Sequence, residues 1–273
     1  MSYNNIYLKN FKITEEEIIQ PEKIAKLSKQ YKFIHYKWQP RICGMNGYGT
    51  QGDPKLLFND KKIYFELGDH SFTQDIYDRV NKNNIILATN NEVFKKNVYS
   101  LPIGVTSTSH CKVIGNIDII VDQFKKPKQY NEKLIYMNFK IKNPCRGKIE
   151  RETVARNFIN KDYVTLGKHI RNNDGHKIFI ENIYNHKFVL CPRGNGVDTH
   201  RLWMTLYLGS IPIVRMEKVL EPFKHLPILF VNDWNEITPD FLKKKYEEIH
   251  NKKYDFSVLT MSYWKKLCIP LLS

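Results

Sequence analysis

The sequence predicts an α/β protein built on parallel sheets. Short β-type runs alternate with helical patterns along the chain, no internal repeat or low-complexity tract interrupts them, and the alternation is most regular in the second half. Strands that alternate with helices pair in parallel, because each crossover helix returns the chain to the same edge of the sheet.

The elements are read in order. Residues 62–66 and 85–89 read as strands, with 73–81 as the helix between them. Residues 122–131 are polar, contain Pro127 and read as a linker, dividing a first lobe of residues 1–125 from a second of 126–273. In the second lobe 133–139 reads as a strand, 148–158 as a helix, 163–166 as a strand and 175–185 as a helix. Then follow a strand at 188–191, a helix at 198–208, and strands at 211–214 and 228–231. A further helix opens at Thr238-Pro239, with Thr as N-cap and Pro in the first helical position. This is a doubly wound series, in which ligands sit beyond the carboxyl ends of the strands. Residues 256–267 read as one more helix with no fixed place, free to pack back on the first lobe.

The 273 residues are 42% hydrophobic, enough for a sizeable core in one or two domains. No apolar run is long enough for a transmembrane helix, and the first residues lack a signal-type apolar stretch, so a cytoplasmic protein is expected. Cys43, Cys111, Cys145, Cys191 and Cys268 are scattered, with no C-x-x-C pair, so neither a disulfide framework nor a zinc site is signalled. Net charge is +15, and residues 125–156 hold ten Lys/Arg against three Asp/Glu. Such a bias suits an anionic partner, whether a nucleic acid, a membrane face or a phosphorylated small molecule, or else a basic solvated surface.

The most informative segment runs from 186 to 214. An apolar strand leads into Pro192-Arg193-Gly194-Asn195-Gly196 and then into a helix, with Asp198 a suitable N-cap and Gly209 a suitable C′ residue. Two glycines allow close approach of backbone to ligand, the helix N-terminus offers free N–H groups, and Arg193 and Arg201 can fork onto phosphate oxygens. On residues alone, this is either a diphosphate cradle or a tight βα turn bearing surface arginines. Upstream, Gly47-Tyr48-Gly49-Thr50-Gln51-Gly52 matches G-x-G-x-x-G, but Pro54 follows and no helical pattern starts there, so it is not read as a dinucleotide site.

The stretch Phe188-Val189-Leu190-Cys191-Pro192-Arg193-Gly194, with Gly196, Asp198-Thr199-His200-Arg201, Trp203 and Gly209-x-Ile211-Pro212-Ile213-Val214, resembles the signature of exostosin-like glycosyltransferases. It particularly resembles the short forms found in large DNA viruses of algae and protists. The resemblance implies a GT-B-like fold of two Rossmann-like lobes with a cleft between them. A UDP-sugar donor would bind the second lobe and a glycan acceptor the first. Arg193, Gly194, Gly196, Asp198, Thr199 and Arg201 would line the nucleotide side, with Arg146 a further phosphate contact. The viral forms suggest xylose as the sugar. One position departs from the pattern: where the family carries Glu after the tryptophan, to hold the ribose, this chain has Met204, and Glu217 is a possible substitute on a surface loop.

No D-x-D pair appears, so arginines and the helix dipole, with no metal or other cofactor, would carry the diphosphate charge. The base is expected from the first lobe. Glu66-Leu67-Gly68-Asp69-His70 follows the strand at 62–66, and Asp69 is favoured as general base, with Glu66, His70 and Asp53 as alternatives. The competing reading makes these residues loop caps. His200 reads as a polar-contact histidine. The sequence therefore leads to an inverting, metal-independent glycosyltransferase. Its rival is a basic nucleic-acid-binding protein without enzymatic activity, although no aromatic-basic binding motif appears.

Overall fold

The computed structural model of the chain describes residues 13–30, 34–37, 63–67, 71–80, 82–106, 116–141, 147–168 and 172–268. It is an α/β structure with two parallel sheets. The first half supplies α1 (Pro21–Gln30), β1 (Ile34–Lys37), β2 (Ile63–Leu67), α2 (Gln74–Arg79), β3 (Ile85–Ala88) and β4 (Val98–Ser100), and its strands lie in sequence order, all parallel. The second half runs α3 (Asp118–Phe124), β5 (Ile135–Met137), α4 (Lys148–Phe158), β6 (Val164–Leu166), α5 (Asn173–Asn185), β7 (Phe188–Leu190), α6 (His200–Tyr207), β8 (Ile211–Arg215), β9 (Leu229–Val231), α7 (Pro239–His250) and α8 (Met261–Cys268). Its sheet has the order β6-β5-β7-β8-β9, again all parallel. Among the described residues no helix is long and apolar enough to cross a membrane.

The second sheet is buried on both faces, and strand alternation decides which residue faces which layer. Ile135, Met137, Phe188, Leu190, Ile211 and Ile213 pack with Val154 and Phe158 of α4 and with Leu242 and Tyr246 of α7. Tyr136, Val189 and Val214 point the other way, onto Ile180 and Ile183 of α5 and Leu202 and Trp203 of α6. Helix α6 ends as expected: Gly209 has φ +66, its N–H reaches Leu206 O, and Ser210 N–H reaches Thr205 O, a Schellman closure. Its N-cap is Thr199 rather than Asp198, with Leu202 N–H on Thr199 Oγ1 at 3.4 Å. Helix α7 opens on Thr238 and Pro239 as expected, Phe241 N–H bonding Thr238 Oγ1 at 3.2 Å.

The expected linker at 122–131 begins inside α3, because Ile120 and Gln123 are buried and Ile120 packs beside Ile180 and Ile183 of α5. In the first sheet Ile86 and Ala88 face Phe72, Tyr77 and Val80, while Leu87 faces Ile19, Ile24 and Leu101. Helix α8 belongs to that second group: Met261, Trp264 and Cys268 pack there, so the last helix lies on the first sheet's side of the molecule. Tyr207 of α6 ties this junction. Its hydroxyl accepts from Ile19 N–H at 3.0 Å and donates to Leu259 O at 2.7 Å, and burial raises its pKa.

Candidate anion site at the carboxyl edge of the second sheet

In the order β6-β5-β7-β8-β9 the chain reverses direction between β5 and β7. A crevice opens outside the carboxyl ends of strands at such a reversal, and ligands of doubly wound sheets bind there. The residues just beyond these ends are Asn138, Phe139 and Lys140 after β5, and Cys191 to Gly194 after β7. Helices α4 and α6 follow these two strands, so both begin at the crevice.

Arg201 stands in the first turn of α6. It is partly buried, its Nε has no hydrogen-bond partner, and burial lowers its pKa, opposed by the nearby Cys191 thiol and Tyr136 hydroxyl. Its guanidinium lies 5.6 Å from the centre of the Phe139 ring. Arg193 presents a second buried Nε without a partner, and its backbone N–H donates to Glu150 Oε1 at 3.0 Å. Arg151, in the first turn of α4, donates from Nε to Arg193 O at 2.9 Å and from Nη1 to Lys140 O at 3.3 Å, with its guanidinium 5.9 Å from the same Phe139 ring. Arg215, at the end of β8, is paired with acids: Nη2 lies 2.5 Å from Glu217 Oε1 and 3.3 Å from Glu150 Oε2. The hydrogen bond to Glu217 is the main reason its pKa is raised.

Glycines fit this edge by tightness. A Cβ on Gly147 would lie 2.3 Å from Arg193 O, and one on Gly167 would lie 2.3 Å from the Tyr136 hydroxyl. A Cβ on Gly194 would meet Arg151 Nη2 at 3.0 Å. Gly194 N–H bonds Gly196 O at 2.9 Å, closing the turn before α6. Neither glycine of this turn has positive φ.

The structure thus gathers Arg193, Gly194, Gly196 and Arg201 on one edge. Asp198 turns inward, and Thr199, half-buried, spends its side chain on the cap of α6. Asp198 is 2% exposed; its Oδ2 accepts from Ile103 N–H at 2.8 Å, its Oδ1 from Trp203 Nε1–H, and its own N–H donates to Asn90 Oδ1 at 2.9 Å. Asn90 has φ +48, which asparagine tolerates better than most residues, and it stands just past β3. His200 bonds Gly104 O through Nδ1 at 2.8 Å. Residues beyond the carboxyl ends of β3 and β4 therefore meet the β7–α6 loop directly. Gly104 fits there with φ +69, because a Cβ would stand 2.3 Å from Ile19 O.

Arg146, Asp53, Asp69 and His70 lie outside the described residues. Glu66 sits in β2, register-paired with Ala88 of β3 toward the carboxyl end of the first sheet. Met204 is 3% exposed within the core around Trp203, so methionine fills apolar space there. Glu217 is held by Arg215 and is not a free loop residue. Arg151, Glu150 and Arg215 were not anticipated. Arg151 and Glu150 could have been found from their place in the first turn of the helix that follows β5, the spacing that singled out Arg201 after β7. Among the described residues no three His, Cys, Asp or Glu side chains gather as a metal group would require.

This edge can hold an anion: Arg201 stands with an unpartnered Nε in the first turn of α6, and a helix start offers N–H groups and a dipole that favour negative charge. Compared with known proteins, the chain matches no family model and no curated protein.

Proposed function

We propose that the chain is a glycosyltransferase of GT-B-like arrangement, moving a sugar from a UDP-sugar to a glycan hydroxyl. One observation carries the reading. Arg201 is a partly buried cation with an unpartnered Nε, placed at the switch point of a parallel sheet and in the first turn of a helix. Holding a guanidinium out of water without a carboxylate is costly, and an anionic ligand removes that cost. The meeting of the two carboxyl edges at the β7–α6 loop supports an acceptor side on the first sheet.

In the proposed reaction the acceptor oxygen attacks the anomeric carbon as the bond to the diphosphate oxygen breaks, inverting that centre. The proton passes to a carboxylate of the loop after β2, for which Asp69 is the leading candidate. The electron pair leaves on UDP, whose charge Arg201, Arg193 and the α6 N-terminus stabilise, with no metal required.

Calorimetric titration with UDP, in EDTA, tests the reading, with a single-stranded oligonucleotide titrated in parallel. The parent should bind UDP with EDTA present, and Arg201→Ala should weaken binding about 10- to 150-fold through a lost charge-assisted contact. No UDP binding by the parent, or unchanged affinity in Arg201→Ala, refutes it. Salt-sensitive binding of the oligonucleotide alone would favour a nucleic-acid partner.

A further inference from the structure

Strand β5 carries a second polar group toward Arg201. Tyr136 lies in β5, and its side chain faces the layer that holds α6, the helix of Arg201. Asn138, just past the strand, donates from Nδ2 to the Tyr136 hydroxyl at 2.8 Å and to Lys168 O at 3.3 Å. Lys168 O can only accept, which puts the amide nitrogen, not the amide oxygen, on this side. The Tyr136 oxygen therefore receives a hydrogen bond, and among the described residues no acceptor takes its own hydrogen. The hydroxyl keeps that hydrogen, because burial raises its pKa against the smaller lowering effects of Asn138 and Arg201. Arg201 and this hydroxyl interact electrostatically, each shifting the other, so the two groups share one neighbourhood. Arg201 brings to it a buried Nε–H without a partner. Tyr136 is 1% exposed, so its donor is cut off from bulk water as well. A buried donor left alone costs about 1–3 kcal/mol, and a group that only accepts removes both costs at once. Gly167, level with Asn138 beyond β6, keeps the place open: a Cβ there would collide with the Tyr136 hydroxyl and stand 2.6 Å from Asn138 Nδ2.

We infer that Tyr136 is a further ligand-binding residue of this site, its O–H and the Arg201 guanidinium donating together to one phosphate group. This rests on the donor-site reading above and adds a neutral donor to its cations. An ionised phosphate presents only acceptor oxygens, which is what two donors without an acceptor require. A hydroxyl or amine in the same place would bring hydrogens of its own.

The test measures UDP and inorganic pyrophosphate affinities by calorimetry, with circular dichroism to check folding. The proteins are the parent, Tyr136→Phe, Arg201→Met, the double variant of these two, Gly167→Ala and Tyr184→Phe. Tyr136→Phe removes one oxygen and leaves Asn138 bonded to Lys168 O, so folding should survive. It should weaken UDP about 10- to 150-fold, the worth of a hydrogen bond to a charged group. Tyr184→Phe, which loses a hydroxyl bonded to Lys126 O, should change UDP affinity less than about twofold. If both donors serve one phosphate, the double variant should lose several-fold less than the product of the single losses. A double loss equal to that product puts the contacts on separate groups and overturns the inference. Gly167→Ala keeps both donors but must displace the hydroxyl, whose ring packs against Phe179 and His186. It should weaken UDP as well, so Tyr136 stays testable if Tyr136→Phe does not fold. Parent affinity in folded Tyr136→Phe or folded Gly167→Ala, while Arg201→Met loses UDP, overturns the inference and leaves the donor site standing. If the parent binds pyrophosphate but not UDP, the nucleotide reading falls and the same variants judge Tyr136 on pyrophosphate. If the parent binds neither, both fall.

Discussion

Asp198 separates two roles that the sequence alone confounds. The resemblance implies a nucleotide ligand at this position; the structure makes it a bolt between the β7–α6 loop and the segment after β4. Its carboxylate accepts from Ile103 N–H and Trp203 Nε1–H in a place 2% exposed to water. A hydrogen bond to a charged group contributes about 1.5–3 kcal/mol, and a buried donor left alone costs a similar amount. Asp198→Ala strips both donors of their acceptor, so unfolding free energy should fall by about 3–6 kcal/mol. Asp198→Asn keeps one carbonyl oxygen and should cost about half. Thr199→Ala, which removes only the cap on α6, should cost about 1 kcal/mol. Urea unfolding measures this as a shift in midpoint with the slope m unchanged. UDP affinity is the second readout. A bolt predicts a large stability loss with affinity disturbed only as far as α6 shifts; a ligand contact predicts the reverse. A loss under about 1 kcal/mol in Asp198→Ala, typical of a surface change, would refute the bolt.

Asp69→Asn should leave UDP affinity and folding intact while sugar transfer falls about 10²–10⁴-fold, the usual share of a general base, with Glu66→Gln and His70→Asn losing less; transfer near the parent rate would move the role to Glu66, His70 or Asp53. His176, in the first turn of α5, is 3% exposed with Nε2 unpartnered, and burial pushes its pKa down to about 4, partly opposed by a bond to the Asn116 backbone. An unfolded histidine takes its proton near pH 6.5 and the folded one only near 4, so the unfolded state binds more protons in that window. Stability is therefore full above about 6.5 and should fall by up to about 3 kcal/mol as pH drops to 4. Urea midpoints for the parent and His176→Phe check this, and equal pH slopes in the two would refute it.

The second sheet was legible because its signals are local. The apolar runs around Tyr136, Val189 and Ile213, the helix stop at Gly209 and the cap at Thr238 each act within a few residues of chain, and each appears where expected. Helix α4 was read over the same residues, 148–158, for the same reason. Helix α3 was missed because its burial comes from α5, some sixty residues away, which no local pattern encodes. Arg201 stood out because a Gly-rich turn marks its helix start; Arg151 holds the matching place in the first turn after β5 and was passed over, its bond to the Arg193 carbonyl being visible only in the structure.

By itself, then, the sequence determined the strands and helices of the second sheet and placed Arg193, Gly194 and Arg201 at a helix start, since periodicity and turn chemistry depend on neighbours along the chain. Only the tertiary structure decided which polar groups face the crevice and which face inward. It turned Asp198 onto Ile103 and Trp203, paired Glu217 with Arg215, buried Met204 in the core and set Arg151 and Arg201 each near the Phe139 ring. Those choices depend on which donors and charges a buried side chain meets across the strand order, and that order is set by long-range pairing that local sequence does not specify.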